Sequence, residues 1–317
     1  MIEERIKALR REMAQRGIDM YIVPTSDFHE SEYVGDYFKA RKYITGFTGS
    51  AGTAVITMEE AGLWTDGRYF IQAENQLAGT PVTLFKMQEE GVPTVEEYVQ
   101  KNLKEGQCLG FDGRVMNGKA GEEYETIVKE KNGRLYVSED LVGIIWTERP
   151  SLPAEPAFIL APEYAGESTQ GKLTRLRERM KEEGATVHIL TSLYDIAWLL
   201  NVRGNDIAHV PVILSFVMVT ENGCCWYVND AVLNDELKTY LKVNSIQVKS
   251  YNDIYSDVEC LSACLLYTSA YAFWHEREQD CHNDDQRESV DERQRIALHG
   301  RSKGHGRLPG SGEAACG

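Results

Sequence analysis

The feature that most constrains the fold is a plan that the chain carries twice, with the second copy 167 residues after the first (176 − 9). In each copy, apolar residues recur every three or four positions and the run ends at a glycine. The matching positions are Leu9, Met13 and Gly17 in the first copy and Leu176, Met180 and Gly184 in the second. This spacing predicts an amphipathic helix that stops at glycine. A short apolar strand follows at the same separation, so we expect two related domains in tandem.

Helices and strands are predicted to alternate along both copies. The predicted helices cover residues 2–16, 69–77, 95–103, 122–131 and 194–200, and the predicted strands cover residues 20–23, 53–57, 63–65, 82–85, 109–112, 135–137, 187–190, 212–219 and 224–228. Such alternation favours an α/β fold in which helices flank a mixed sheet. Arg149 begins a segment with three prolines in seven residues, which predicts a stiff linker. We expect a first domain at residues 1–148, a linker at 149–157 and a second domain at 158–259.

Composition limits the classes of partner. The chain has 317 residues, a formal charge of −15 and 42% hydrophobic residues, values that fit a globular protein. The negative charge disfavours nucleic acid and anionic membranes as partners. The N-terminal run MIEERIKALRREM carries charges throughout and predicts no secretory signal, and no apolar run approaches ~18 residues. We therefore expect a cytoplasmic protein.

A glycine-rich loop at residues 46–52 precedes the strand at 53–57. A phosphate-binding loop would open a helix or place Lys-Ser or Lys-Thr after its last glycine, so the physical default here is a tight hairpin turn. The next strand ends in Asp66-Gly67, a turn signal that places Arg68 at the rim of the sheet.

Two polar loops contain the other candidate site residues. Residues 27–33 include His29, Glu30 and Glu32, which favour a hydrogen-bonded surface loop, a metal site, or a position at the edge of an active site. In the second copy Arg203 and Asp206 flank a Gly-Asn turn. They are interpreted either as a local ion pair or capped turn, or as contacts to a neighbouring catalytic domain.

Several motifs resemble the cytosolic Xaa-Pro aminopeptidases, the aminopeptidase P branch of the creatinase-like metallopeptidases. In the first copy they are S-E-Y at 31–33, G-F-T-G-S-A-G-T-A at 46–54 and W-T-D-G-R-Y-F at 64–70. The linker begins within I-I-W-T-E-R-P at 144–150, and the second copy carries D-I-A-W-L-L-N-V-R-G-N-D-I at 195–207. The resemblance covers about residues 5–258 at nearly every element.

The resemblance implies two tandem creatinase-N-terminal-like domains of an enzyme that removes an N-terminal residue when proline follows. It also implies a third, catalytic "pita-bread" domain with two divalent metals, manganese or zinc, and a homodimer. We expect that domain to be absent from this sequence, so the chain should lack a metal set and peptidase activity. Glu32 and Arg68 would lie at the rim facing the active site, with Arg203 and Asp206 as further rim candidates. The alternatives are a non-catalytic α/β binding or dimerisation module, or part of a prolidase or creatinase.

Residues 260–317 do not continue the pattern. They mix His, Cys, Arg and Gly without helical or strand period, which predicts an irregular tail. A zinc site from Cys264, His275, Cys281 and His282 is an alternative, although no C-x-x-C pair is present. The run C-L-L-Y-T-S at 264–269 looks like translated sequencing adapter, and residues 288–296 are compatible with a shifted reading frame. The hypothesis is that this tail is not a natural domain.

Overall fold

A computed structural model describes residues 1–261. Its helices are α1 (Ile2–Arg16), α2 (Ala40–Thr45), α3 (Phe70–Leu77), α4 (Val95–Asn102), α5 (Gly118–Glu130), α6 (Leu141–Ile145), α7 (Pro162–Ala165), α8 (Thr169–Glu182), α9 (Leu193–Leu200), α10 (Asp235–Val243) and α11 (Asp253–Glu259). Its strands are β1 (Met20–Pro24), β2 (Thr53–Thr57), β3 (Ala61–Thr65), β4 (Thr83–Lys86), β5 (Cys108–Gly110), β6 (Arg134–Tyr136), β7 (Phe158–Ile159), β8 (Val187–Leu190), β9 (Val202–Arg203), β10 (Ser215–Thr220), β11 (Cys224–Val228) and β12 (Gln247–Ser250). The α/β prediction is confirmed.

The first domain is a mixed sheet of six strands in the order β4-β3-β2-β1-β5-β6. Strand β1 lies inside the sheet, antiparallel to β2 and parallel to β5. Its side chains alternate between two cores, because successive residues of a strand point to opposite faces. Tyr21 and Val23 pack with α1, α3 and α6, whereas Met20 and Ile22 pack with α4 and α5. Helices therefore cover both faces of this sheet.

The second domain repeats the first four strands of that topology. Its sheet has the order β12-β11-β10-β8 among the described residues. Strand β8 is antiparallel to β10, β10 is antiparallel to β11, and β11 is parallel to β12, as in the series β1, β2, β3 and β4. Gly17 and Gly184, which follow α1 and α8, both adopt left-handed backbone conformations with φ of 63° and 69°. Glycine is suited to both positions because it lacks a Cβ.

Most predicted elements form within a few residues of their expected bounds. The short helices α2, α6 and α7, and the pair α10 and α11, are found only in the structure. The strand predicted at residues 212–219 begins at Ser215 and ends at Thr220. The predicted irregular tail and its zinc alternative lie outside the described residues, except for positions 260 and 261. No helix within residues 1–261 is long and apolar enough to cross a bilayer.

The two domains share a hydrophobic core. Phe28 and Phe38 of the first domain pack with Ile189, Leu193 and Phe216 of the second. Each of these side chains is at least nine-tenths buried. Because burial of one large apolar side chain contributes roughly 1.5–3 kcal/mol, this contact holds the domains in one relative position.

Candidate functional site

The glycine-rich loop is organised around one buried cation. Arg41, in α2, is 3% exposed and points into the loop. Its Nη1 donates to the Phe47 carbonyl at 2.6 Å, its Nη2 donates to the Gly49 carbonyl, and its Nε donates to Thr25 Oγ1 at 2.9 Å. Burial lowers the pKa of Arg41 to about 10. Carbonyl groups of the loop therefore converge on a cation, which makes the loop a rigid wall.

Close packing explains two of the loop glycines. A Cβ on Gly49 would lie 2.2 Å from Phe47 Cζ and 2.9 Å from Tyr69 Cδ1. A Cβ on Gly52 would lie 2.7 Å from the Trp64 carbonyl oxygen, and its φ of 152° disfavours side chains as well. With glycine at these two positions, the loop lies closer to the end of β3 than a residue with a Cβ would permit.

Arg68 follows β3 directly, in the turn that the sequence predicted. Asp66 caps a single 3-10 turn at Gly67–Tyr69 by accepting from the Arg68 backbone N–H at 3.1 Å. The Arg68 guanidinium donates twice to the same carboxylate, with both nitrogen–oxygen distances at 2.8 Å. This bidentate hydrogen bonding lowers the pKa of Asp66 and raises that of Arg68. The Arg68 side chain remains 69% exposed, so it presents unused N–H groups to solvent.

The loop at residues 27–33 is a domain contact, and its interpretation as a surface loop is wrong for His29. Asp27 Oδ1 accepts from the backbone N–H groups of His29 and Ser31, both at 2.9 Å, which closes a tight turn. Glu30 lies at the turn with φ of 57°. This turn directs His29 into the second domain, where it is 4% exposed, while Glu32 stays exposed.

Both ring nitrogens of His29 have partners in the second domain. Nδ1 lies 3.0 Å from the Thr191 carbonyl oxygen, and Nε2 lies 2.6 Å from the Tyr251 hydroxyl. A carbonyl only accepts, so Nδ1 carries the proton and the Tyr251 hydroxyl donates to Nε2. Burial lowers the pKa of His29 to about 4, against a smaller opposing effect of Asp27. The imidazole is a neutral link between domains, with no nitrogen free to bind a metal.

A cleft of about 620 Å³ lies between the domains and contains two of the four predicted site residues. Glu32 and the glycine-rich loop around Arg41 form its first-domain side. Asp206 and His209 line it from the second domain. Pro150 and Pro153 of the linker close one side. Arg68 is not part of the lining. Its neighbour Tyr69 bonds through its hydroxyl to the cleft residue Ser50 at 2.6 Å, which connects the Arg68 turn to the cleft wall.

Arg203 and Asp206 form hydrogen bonds with different partners. No ion pair joins them in the part of the chain that the structure describes. Asp206 is 6% exposed, and its two oxygens accept from the backbone N–H groups of Glu155 at 3.0 Å and Leu214 at 2.8 Å. Burial raises the pKa of Asp206. The Arg203 guanidinium donates to the carbonyls of Ala197 and Val202. Asp206 thereby joins the linker to the start of β10.

An arginine that the sequence interpretation did not select holds the linker against the first domain. Arg149 donates through Nε to the Tyr37 carbonyl at 2.8 Å, and its guanidinium lies 3.7 Å from the centre of the Tyr37 ring. It also pairs with Asp140, the N-cap of α6. In the sequence, only its position before Pro150 set this arginine apart. An arginine at a domain boundary is usually solvent-exposed, so no role in holding the linker was predicted for it.

Within residues 1–261, no group of three or more His, Cys, Asp or Glu side chains is arranged to hold a metal ion. Of the three candidates in the loop at residues 27–33, His29 has both ring nitrogens in hydrogen bonds, and Glu30 and Glu32 are exposed. The described residues therefore do not fit a di-metal centre, and no chemical step through a metal follows from them.

Comparisons with known proteins agree with the repeated architecture. The Creatinase/Prolidase N-terminal domain family matches residues 5–140, and a second model with the same description matches residues 148–297. The second match continues beyond residue 258, where the motif resemblance ended, and beyond the described residues. Together the matches cover both copies of the repeat.

Individual relatives carry the name Xaa-Pro aminopeptidase P. A probable enzyme of this name from Neurospora crassa is 39% identical over 269 residues, which is 84% of this chain and 39% of the relative. One from Sordaria macrospora is 40% identical, covering 84% of this chain and 44% of the relative. The chain thus spans less than half the length of these relatives.

Among solved structures, the X-prolyl aminopeptidase from Caenorhabditis elegans superposes with a TM-score of 0.81 at 30% identity, covering 86% of this chain and 48% of that one. That protein is described as a cytosolic enzyme with a di-nuclear active site. The fold, the two family matches and the shared motifs lead to one conclusion. The chain belongs to the creatinase/prolidase N-terminal domain family, carries two such domains in tandem, and aligns over most of its length with proteins named Xaa-Pro aminopeptidase P.

Proposed function

We propose that the chain is the N-terminal, non-catalytic part of an Xaa-Pro aminopeptidase, an enzyme that removes an N-terminal residue preceding proline. The observation that supports this most is the alignment of 84% of the chain with relatives of that name at 39–40% identity, across both domains. We assign residues 1–148 and 158–259 to the two domains and residues 149–157 to the linker.

The predicted site residues divide into two roles under this proposal. Glu32 and Arg68 are exposed at the first-domain surface, and both can form charge-assisted hydrogen bonds with a peptide. Their role is to orient the peptide at the rim of the active site. Arg203 and Asp206 hold backbone groups, so their role is to position the second domain against the catalytic part.

The proposal extends to metals, partners and location. The C. elegans enzyme is described as cytosolic and di-nuclear, which supports a cytoplasmic location and two divalent metals, manganese or zinc, in the intact enzyme. Since the described residues do not fit a di-metal centre, those metals would be held by another part of the enzyme. The intact protein would act as a homodimer on peptides with proline in second position, without nucleic acid or membrane partners.

A pair of assays tests the proposal. This chain, incubated with an Xaa-Pro tripeptide and manganese, should release no amino acid above background. A fusion of residues 1–259 to the C-terminal part of the Neurospora crassa relative should release it in a metal-dependent way. Turnover by this chain alone refutes its non-catalytic role, and a folded fusion without activity refutes the assignment to this family of enzymes.

Replacing Arg68 separates orientation from folding. In the active fusion, Arg68→Ala should lower kcat/KM for the tripeptide by about tenfold, the typical effect of losing a charged hydrogen bond. Arg179→Ala is the control, because this arginine is similarly exposed and, within residues 1–261, its ion pairs are with the nearby Glu182 and Glu183. Equal effects of the two changes would contradict the rim assignment.

A further inference from the structure

Three asparagines of the sequence directly precede glycine: Asn117, Asn132 and Asn222. An Asn-Gly pair can rearrange without an enzyme, because glycine has no side chain to shield its backbone nitrogen from the asparagine side chain. The rearrangement requires that this nitrogen and the side-chain amide move toward each other. The fold restrains the three pairs in different ways, and it therefore decides which of them reacts.

Asn117 is held by the helix that it begins. It is the N-cap of α5, and its Oδ1 accepts from the Ala120 backbone N–H at 2.9 Å. Its carbonyl also accepts from the Gly121 backbone N–H at 3.0 Å. An N-cap of this kind contributes about 1 kcal/mol to helix stability. The Asn117 side chain can therefore reach the Gly118 nitrogen only if the cap breaks.

Asn132 is held on both sides of the reacting bond. Its Nδ2 donates to Glu105 Oε1 at 3.3 Å, and the Gly133 backbone N–H donates to the Val128 carbonyl at 2.9 Å. A Cβ on Gly133 would lie 2.3 Å from the Gln107 carbonyl oxygen, so backbone atoms enclose this glycine. Both hydrogen bonds must break before the pair can react, and each is worth about 0.5–1.5 kcal/mol.

Asn222 lies in the hairpin loop between β10 and β11 and is the least restrained of the three. It is exposed, and its side chain forms no hydrogen bond within residues 1–261. The Gly223 backbone N–H donates at 2.9 Å to Thr220 Oγ1, a hydroxyl that can rotate away. Among the described residues beyond its chain neighbours, only that hydroxyl lies within 4 Å of a Cβ placed on Gly223. The Gly223 nitrogen is therefore accessible to the Asn222 side chain.

We propose that Asn222 is a site of spontaneous deamidation, which forms isoaspartate in this hairpin loop. The Gly223 nitrogen bonds to Asn222 Cγ, the Cγ–Nδ2 bond breaks, and ammonia leaves with the proton of the Gly223 N–H group. The product is a cyclic succinimide. A water molecule then opens the ring at either carbonyl group, which yields aspartate or isoaspartate. Both products place a new carboxylate beside Glu221, and isoaspartate also lengthens the main chain of the loop by a methylene group.

Peptide mapping by mass spectrometry, after incubation of this chain at mildly alkaline pH, measures the loss of each asparagine. Asn222 should be lost about tenfold faster than Asn117 or Asn132, because those two must first break hydrogen bonds that cap α5. In urea, where the fold is absent, the three rates should become similar. Equal rates in the folded chain, or the same tenfold difference in urea, would overturn the proposal.

Two variants test the restraint on the Gly223 nitrogen. Thr220→Val removes the hydroxyl that accepts from it, so Asn222 should be lost about fivefold faster, the effect of one hydrogen bond of about 1 kcal/mol. Thr239→Val is the matched control and should leave the rate unchanged, because its hydroxyl donates to the Asp235 carbonyl within α10. An unchanged rate in Thr220→Val, or equal acceleration in both variants, would contradict the proposal. The comparison of the three asparagines needs no variant, so it decides the proposal even where Thr220→Val does not fold.

Discussion

Replacing His29 with glutamine tests whether the domain interface depends on a neutral imidazole. In the native protein the ring links the Thr191 carbonyl to the Tyr251 hydroxyl, and it lies 4.4 Å from the ring of Phe216. A glutamine amide can replace one of these hydrogen bonds but does not titrate near neutral pH. At about pH 7.5 the variant should be less stable by about 1–3 kcal/mol, the range for a disrupted buried hydrogen bond.

The pH dependence gives the sharper result. Burial lowers the pKa of His29 from 6.5 to about 4, so between these values the unfolded chain binds a proton that the folded protein does not. The stability contributed by His29 is complete above its unfolded pKa and is lost as pH falls toward the folded value. At about pH 5 the wild-type protein should have lost about 2 kcal/mol from this group alone. His29→Gln should not lose it.

Urea unfolding, followed by tryptophan fluorescence at several pH values, measures the difference. The free-energy gap between wild type and His29→Gln should narrow by about 2 kcal/mol between about pH 7.5 and pH 5. All other titrating groups are common to both proteins, so they cancel. His209→Gln is the matched control, because it replaces a histidine that is exposed. A constant gap for His29→Gln would refute the argument from burial.

Two further substitutions test the packing of the loops. Gly49→Ala should lower the free energy of unfolding, measured by thermal melts, by about 1–3 kcal/mol, because its Cβ would lie 2.2 Å from Phe47 Cζ. Gly67→Ala is the control and should be close to neutral in these melts, because the nearest atom to its Cβ would be 3.9 Å away. Asp206→Asn places an N–H group against one of two backbone donors and should cost about 1–3 kcal/mol in urea unfolding. Asp235→Asn, at a fully exposed carboxylate, should change stability by less than about 0.5 kcal/mol, and an equal loss would contradict the bonding of Asp206.

Local patterns were sufficient for most of the elements and for their repetition. Helix α1 and strand β1 were predictable because apolar residues recur with the period of each structure, and because a glycine ends the helix. The turn at Asp66 was also predictable from local sequence, because the Asp-Gly dipeptide favours a tight turn. Arg68 therefore lies at the end of β3 as expected.

Contacts between distant residues were not predictable. His29 and Tyr251 are 222 positions apart, and no periodicity relates them. The polar character of the loop at 27–33 indicated a surface, but a buried polar side chain is stable wherever distant partners satisfy its hydrogen bonds. The same limit applies to Asp206, whose carboxylate accepts from Glu155 and Leu214 rather than from its neighbour Arg203.

The sequence by itself determined that this chain forms two copies of one α/β plan, joined by a stiff linker, because helix and strand periods and glycine stops are local properties. Only the tertiary structure decided which charges are used by the fold and which remain free. That division depends on how the domains are placed. Their arrangement buries His29, Arg41 and Asp206 among specific partners, and among the described residues it leaves Glu32 and Lys42 without an ion pair in the cleft between the domains.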